Sequence, residues 1–188
     1  MPSGWAAKDK LPGVSILPDL SAAGARRIGE QIAASVRAGD VIVVSIHWGG
    51  NWGYEIPDAQ RALAHALIDH AGVSIVHGHS SHHAKAIEIY RGRLILYGCG
   101  DFLNDYEGIT GYESYRDDLA LMYFADIDPR SGALAALEIA PLQIRKFQLM
   151  HASEADAAWV QGTLDRESRR FGTAVLSRPD GRLLCRAL

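Results

Sequence analysis

The chain has 188 residues, enough for one domain with a sizeable core, and its 48% hydrophobic and 22% charged composition is ordinary for a globular protein. A formal net charge of −3 and a pI near 6.2 provide no broad cationic surface. Nucleic acid and anionic membranes are therefore poor partners, and a small molecule is the better default.

Cys99 and Cys185 are the two cysteines, and with no C-x-x-C pair they point to neither a zinc-thiolate knuckle nor a disulfide framework. Met1 to Lys10 lack the basic stretch and apolar run of a secretory leader, and no apolar run approaches the ~20 residues that span a bilayer. The expectation is a soluble chain of unspecified location.

Residues 1–18 hold Gly4, Pro12, Gly13 and Pro18 without periodicity, which predicts an extended lead-in to a single domain over 1–188. Ser21 suits an N-cap. Beyond it Ala25, Ile28, Ile32 and Val36 recur at helical spacing until Gly39. Val41 to Ile46 is a nearly continuous β-branched run, the pattern of a parallel strand covered on both faces, and it delivers His47 at its end. Pro57 to His70 reads as a second helix, with Ala59, Leu63, Ala66 and Leu67 inward and Gly72 beyond its end. Val73 to His77 is the next strand. This β-α-β unit predicts two adjacent parallel strands with their carboxyl ends side by side.

Ala84 to Tyr90 and Leu94 to Tyr97 flank Arg91-Gly92-Arg93 as a hairpin, and Leu119 to Ile127 and Ala133 to Ile139 flank a turn at 128–132. A further strand is expected over Gln143 to Met150. The last expected element is a helix from Ser153 to Arg170, with Ser153 and Asp156 placed like a capping box.

Four of the eight histidines, His77, His79, His82 and His83, crowd into one short stretch directly after a strand. Neutral imidazole is a ligand for zinc, manganese or iron, and Gly78 allows the tight turn that would aim His79 and His82 at one centre. His47, at the end of the neighbouring strand, is the third expected ligand. A solvated histidine-rich loop is the plain alternative. His65, His70 and His151 read as helix or surface residues. The glycine- and aromatic-rich segment Trp48 to Glu55 suits a pocket wall, with Asn51 and Glu55 as its polar members. Asp101, also at a strand end, is a candidate ligand, or a carboxylate that fixes a histidine tautomer. Cys99 has no evident base and makes a poor nucleophile. Asp105, Glu107, Glu113, Asp117 and Asp118 read as a solvated acidic loop.

These blocks resemble a known family. His47-Trp48-Gly49 with Glu55, Pro57 and Gln60, then Gly78-His79-Ser80-Ser81-His82, then Tyr97-Gly98-Cys99-Gly100-Asp101-Phe102 match the CapA poly-gamma-glutamate capsule-biosynthesis proteins of the calcineurin-like metallophosphoesterase superfamily in order and spacing. The resemblance implies a partial metallophosphatase-like α/β sandwich of mixed β-sheets flanked by helices. It also implies metal ligation by His47, His79 and His82, with His79 and His82 as the catalytic histidines. A divalent ion (Mn, Zn or Fe) and a small-molecule or polyglutamate-type anionic substrate follow from it. Asp101 stands where the family has asparagine. The superfamily's early glycine-aspartate and asparagine-histidine blocks have no counterpart before His47, so a dinuclear centre is not expected to be complete in this chain. Three readings follow: hydrolase chemistry in the intact protein, a non-catalytic metal- or polyanion-binding module, and a structural protein. Exposed apolar surface and an open sheet edge also lead to an expectation of self-association.

Overall fold

A computed structural model describes residues 3–17, 19–106 and 108–188. Met1, Pro2, Pro18 and Glu107 lie outside the described residues. The architecture is mixed α/β, with two sheets flanked by three helices.

The lead-in is less extended than its glycines and prolines suggest. Ser3–Trp5 forms a 3-10 turn, and Lys8 and Leu11 exchange backbone hydrogen bonds at 3.0 Å. Helix α1 (Ala22–Ala33) begins where Ser21 accepts from the amides of Ala23 and Gly24, relieving two of the donors that a helix start leaves unpaired. It ends before Val36, which stays exposed.

The first sheet contains β1 (Val43–His47), β2 (Ile75–His79), β3 (Ile87–Tyr90) and β4 (Arg93–Leu96) in the order β1-β2-β4-β3. Helix α2 (Asp58–Ala71) connects β1 to its parallel neighbour β2, as the β-α-β pattern requires. Gly72 closes α2 at φ +67°, a left-handed conformation that glycine adopts without penalty. Leu63, Ala64 and Leu67 on α2 pack with Ile46, Val76 and Ile95 into the first core. Arg91 and Gly92, both at positive φ, form the two-residue turn of the β3–β4 hairpin.

The second sheet contains β5 (Leu119–Ile127), β6 (Leu134–Arg145), β7 (Gln148–His151), β8 (Thr173–Ser177) and β9 (Leu183–Ala187), with β5-β6-β9-β8 in order and β7 on β6. Helix α3 (Glu154–Arg169) starts at Ser153, whose hydroxyl accepts from the Asp156 amide and donates to its carboxylate. The strand expected at Gln143 to Met150 is broken in two. Lys146 and Phe147 take left-handed conformations, ending β6 and starting β7. The β8–β9 hairpin lies beyond the last element legible in the sequence. Leu94, Leu96 and Ile87 of the first sheet pack with Leu121, Leu137 and Ile139 of the second to form the second core.

The β1 run proves to be half covered. Val44 and Ile46 turn toward the first core, while Val43 is 54% exposed and Ser45 and His47 are also exposed. The reason is lateral: the second sheet lies over β3 and β4 and leaves this face of β1 open. An open groove of about 850 Å³ runs along β1 between residues 14–17 and α1. Helix α2 covers the other face through Leu63, Ala64 and Leu67, and α1 packs against α2.

Gly78 sits where a Cβ would lie 2.6 Å from the carbonyl oxygens of Leu96 and Tyr97 and would strike the Trp48 indole. Overpacking of this kind costs about 1–3 kcal/mol. Gly78→Ala is therefore expected to lower the unfolding free energy by that amount in urea denaturation. An unchanged midpoint would show that the strand ends can move apart.

Candidate functional site

The site is built where β1 and β2 end. Their parallel register places Ser45 beside His77 and His47 beside His79 on the open face of the sheet. The His47 and His79 rings meet edge to face at 5.3 Å, and His77 lies 5.6 Å from His79. His77 Nδ1 is 3.0 Å from the Ser45 hydroxyl. Burial lowers the His77 pKa. His79 is lowered by burial first and then by the neighbouring His77 and His47. Both shifts favour the neutral form of these two rings.

Two loops close the end of the sheet. The Trp48 amide donates to the His79 carbonyl at 3.0 Å, and the His82 amide donates to the Asn51 carbonyl at 3.1 Å. The Trp48 indole donates to the Tyr97 carbonyl at 3.0 Å. Buried Lys85 donates to the Gly50 carbonyl at 3.2 Å, and burial lowers its pKa. Gly49, at φ +76°, brings the backbone so close to the buried Gln60 amide that a Cβ would lie 2.7 Å away. Sequence reasoning singled out neither Lys85 nor His77 as a functional residue.

His82 belongs to a different set of contacts. Its Nδ1 lies 2.9 Å from Asp101 Oδ2 and 3.1 Å from the Tyr106 hydroxyl, and its Nε2 lies 3.4 Å from Asn51 Nδ2. Ser80 at φ +125° turns the chain between His79 and His82, a backbone geometry that a side chain disfavours. Trp52 lies 5.4 Å from His82 and stacks on Tyr112 at 4.1 Å. His83 is buried under Tyr54 and Tyr115, at 4.8 and 4.7 Å. Burial drives its pKa down to about 4.

The divalent ion implied by the resemblance needs donors gathered within ~2.0–2.1 Å of one point. Among the described residues, no group of three His, Cys, Asp or Glu side chains is disposed to hold a metal ion. Of the three expected ligands, His47 and His79 lie ring to ring, and His82 contacts Asp101, Tyr106 and Asn51. Two adjacent imidazoles, His47 and His79, are what the donor set provides.

The remaining candidates divide. Asn51 and Asp101 meet at His82, whereas Glu55 is 85% exposed and reaches Arg170 at 3.3 Å. His65 is more than a surface residue: it stacks on Tyr90 at 3.6 Å and bonds buried Glu88 at 2.9 Å, which also accepts from the Tyr97 hydroxyl at 2.6 Å. The acidic segment is also structural in part. Asp117 is buried and accepts from the Ile109 amide, and Asp118 accepts from Arg116 and Gln143.

The bacterial capsule synthesis protein model PGA_cap matches residues 1–106, which contain both histidine sets. The chain belongs to the PGA_cap family. It is 48% identical over 184 residues to a Mycobacterium tuberculosis protein named "Probable polyglutamine synthesis accessory protein", covering 97% of this chain and 48% of that one. It is 30% identical over 180 residues to the "PGA biosynthesis protein CapA" of Bacillus subtilis, covering 96% and 43%. A Bacillus anthracis "Capsule biosynthesis protein CapA" is 31% identical over 107 residues, covering 57% and 24%. The chain spans about half the length, or less, of these relatives.

Burial pushes both cysteine thiols up to about 12. At pH 8 roughly one thiol in ten thousand would then be ionised, against about one in ten at the ordinary value of 9. Labelling by an alkylating reagent at pH 8 should be slow in the native chain and rapid in urea. The same shift makes these thiols stabilising below pH 9, with that contribution lost as pH rises from 9 toward 12. Native labelling as fast as that of free cysteine would contradict this burial.

Proposed function

We propose that the chain acts in the synthesis of a polyglutamyl capsule-type polymer, with the β1–β2 strand ends as its working crevice. The observation that carries the reading is the family match over residues 1–106, which takes in the in-register histidines and the loops that frame them. The printed names of the relatives support the same polymer class. The finer part of the proposal is metal-dependent hydrolysis of the metallophosphoesterase type, with His47 and His79 contributing a divalent-ion seat. The chain's own contribution is to hold two imidazoles edge to face, beside the loops that follow β1 and β2. The substrate class that follows is an anionic glutamyl chain or a phosphate ester linked to its assembly.

The biological test replaces His79 by Ala at the native locus and measures cell-bound glutamate after acid hydrolysis, which converts glutamine and glutamate polymers to the same product. The expected outcome is a several-fold loss of polymer at unchanged protein level. Unchanged polymer would overturn the capsule assignment of this crevice.

The metal seat has its own test, calorimetric titration of zinc or manganese into the chain. Binding should be weak, lost in His47→Ala and His79→Ala, and kept within about twofold in His82→Ala. Loss in all three would restore the three-histidine sphere, and loss in none would remove histidine ligation altogether.

A further inference from the structure

Residues 47–55, 77–85 and 97–106 build the end of the first sheet, and Lys85 is the one lysine or arginine they contain. Only 6% of it is exposed. Its stem starts beside Gly98, where the Lys85 amide donates to the Gly98 carbonyl at 2.9 Å and a Cβ on Gly98 would lie 3.0 Å from Lys85 Cγ. The ammonium reaches across to the loop after β1 and donates to the Gly50 carbonyl at 3.2 Å. That loop is fixed on either side of the contact, by the Trp48 amide on the His79 carbonyl and by the His82 amide on the Asn51 carbonyl. Gly50 itself is exposed, so Nζ lies close beneath the surface of this loop.

Tying the loop to the sheet does not call for a charge. One carbonyl needs one N–H, and a glutamine amide would supply it without the cost of burying an ammonium. Lysine brings three N–H groups, of which the Gly50 contact uses one. The other buried charges have partners of opposite sign: Glu167 meets Arg166 and Arg170, and Glu88 meets Arg61 and His65. Among the described residues no carboxylate oxygen comes within 4.0 Å of Lys85 Nζ. Burial lowers its pKa with no neighbouring carboxylate to oppose the shift. A buried ion is retained where a counter-charge offsets its loss of water, and the chain supplies none here among the described residues.

We propose that Lys85 is the anion-binding residue of the crevice, taking a carboxylate or phosphate oxygen of the substrate on the N–H groups that Gly50 leaves over. The inference rests on the reading of the β1–β2 strand ends as the working crevice, and it names the group in that crevice that recognises negative charge. The contact is an ion pair reinforced by one or two hydrogen bonds, with lysine acting as a point charge. No bond breaks and no proton moves. A glutamyl carboxylate and a phosphate ester present the same kind of oxygen to it. As a mere strut, by contrast, Lys85 would be replaceable by any donor of similar length.

The chain has four lysines, and Lys8, Lys10 and Lys146 are all exposed. Carbon-13 correlation NMR of the lysine Cε groups in the complete chain therefore reads Lys85 against three internal controls for ionic strength. Inorganic phosphate is titrated in one arm and triglutamate in the other. The expected result is a saturable shift of the Lys85 signal with at least one of them, while the exposed lysines move little, and the arm that responds names the source of the oxyanion. Lys85→Gln keeps an N–H for Gly50. It should hold the parental melting temperature and weaken anion binding, measured by calorimetry, about tenfold or more, as loss of a charged hydrogen bond does. Lys85→Arg should keep most of the binding. A Lys85 signal indifferent to both anions would overturn the proposal, as would Lys85→Gln that binds like the parent. If Lys85→Gln does not fold, the titration of the parent decides alone. The polymer measurement on His79→Ala separates this inference from the reading it rests on. Unchanged polymer with Lys85-dependent anion binding removes the capsule reading and keeps the role of Lys85, while polymer loss without such binding does the reverse.

Discussion

The Trp48 indole crosses the sheet end over Gly78 and donates its N–H to the Tyr97 carbonyl. That crossing binds β1, β2 and β4 at the point where the chain must leave each strand. An indole buried this deeply needs a partner for its N–H, and the carbonyl beyond β4 meets that need. The Trp48 amide meanwhile holds the His79 carbonyl. One residue thus fixes the height at which His47 and His79 emerge and the path of both loops that follow. Glycine at 78 is the condition for all of this, because any side chain there would occupy the space of the indole.

Much of the fold could be read from residue pattern because its signals are local. Ser21, Ser153, Pro57 and Gly72 mark helix ends through hydrogen bonding and backbone freedom, and the β-branched run before His47 marks a strand. The turn at Lys146-Phe147 could not be read, since neither residue advertises a left-handed conformation. Whether β1 is covered on one face or two depends on where a second sheet comes to rest, which no window of sequence around Val43 contains. The site divides in the same way. The pairing of His47 with His79 follows from strand adjacency, and that of Asp101 with His82 from both being at strand ends. The turn at Ser80 between His79 and His82 is a long-range outcome, set by loops that zip to Gly49, Asn51 and Gly98. Tyr106 was hidden in an acidic stretch whose composition suggests solvent.

The two edges of the first sheet are treated differently. At β3 the free amides of Ile87 and Ile89 are taken by the hydroxyls of Ser168 and Thr173 at 2.9 Å. Side chains there do the work of a further strand and leave the edge no donors to offer. At β1 the groove beside α1 holds valines, isoleucines and a histidine pair instead. The contrast assigns closure to one side of the molecule and accessibility to the side that carries His47 and His79.

Strand β4 gives alternate side chains to the two cores: Ile95 and Tyr97 on one side of the sheet join the first, and Leu94 and Leu96 on the other join the second. It is a party wall. Heat or denaturant that dissolves either core strips one face of β4 and so weakens the other, which makes the two layers melt together as one cooperative unit. A gene fragment encoding the first layer by itself would leave Leu94 and Leu96 of β4 without the side chains they pack against.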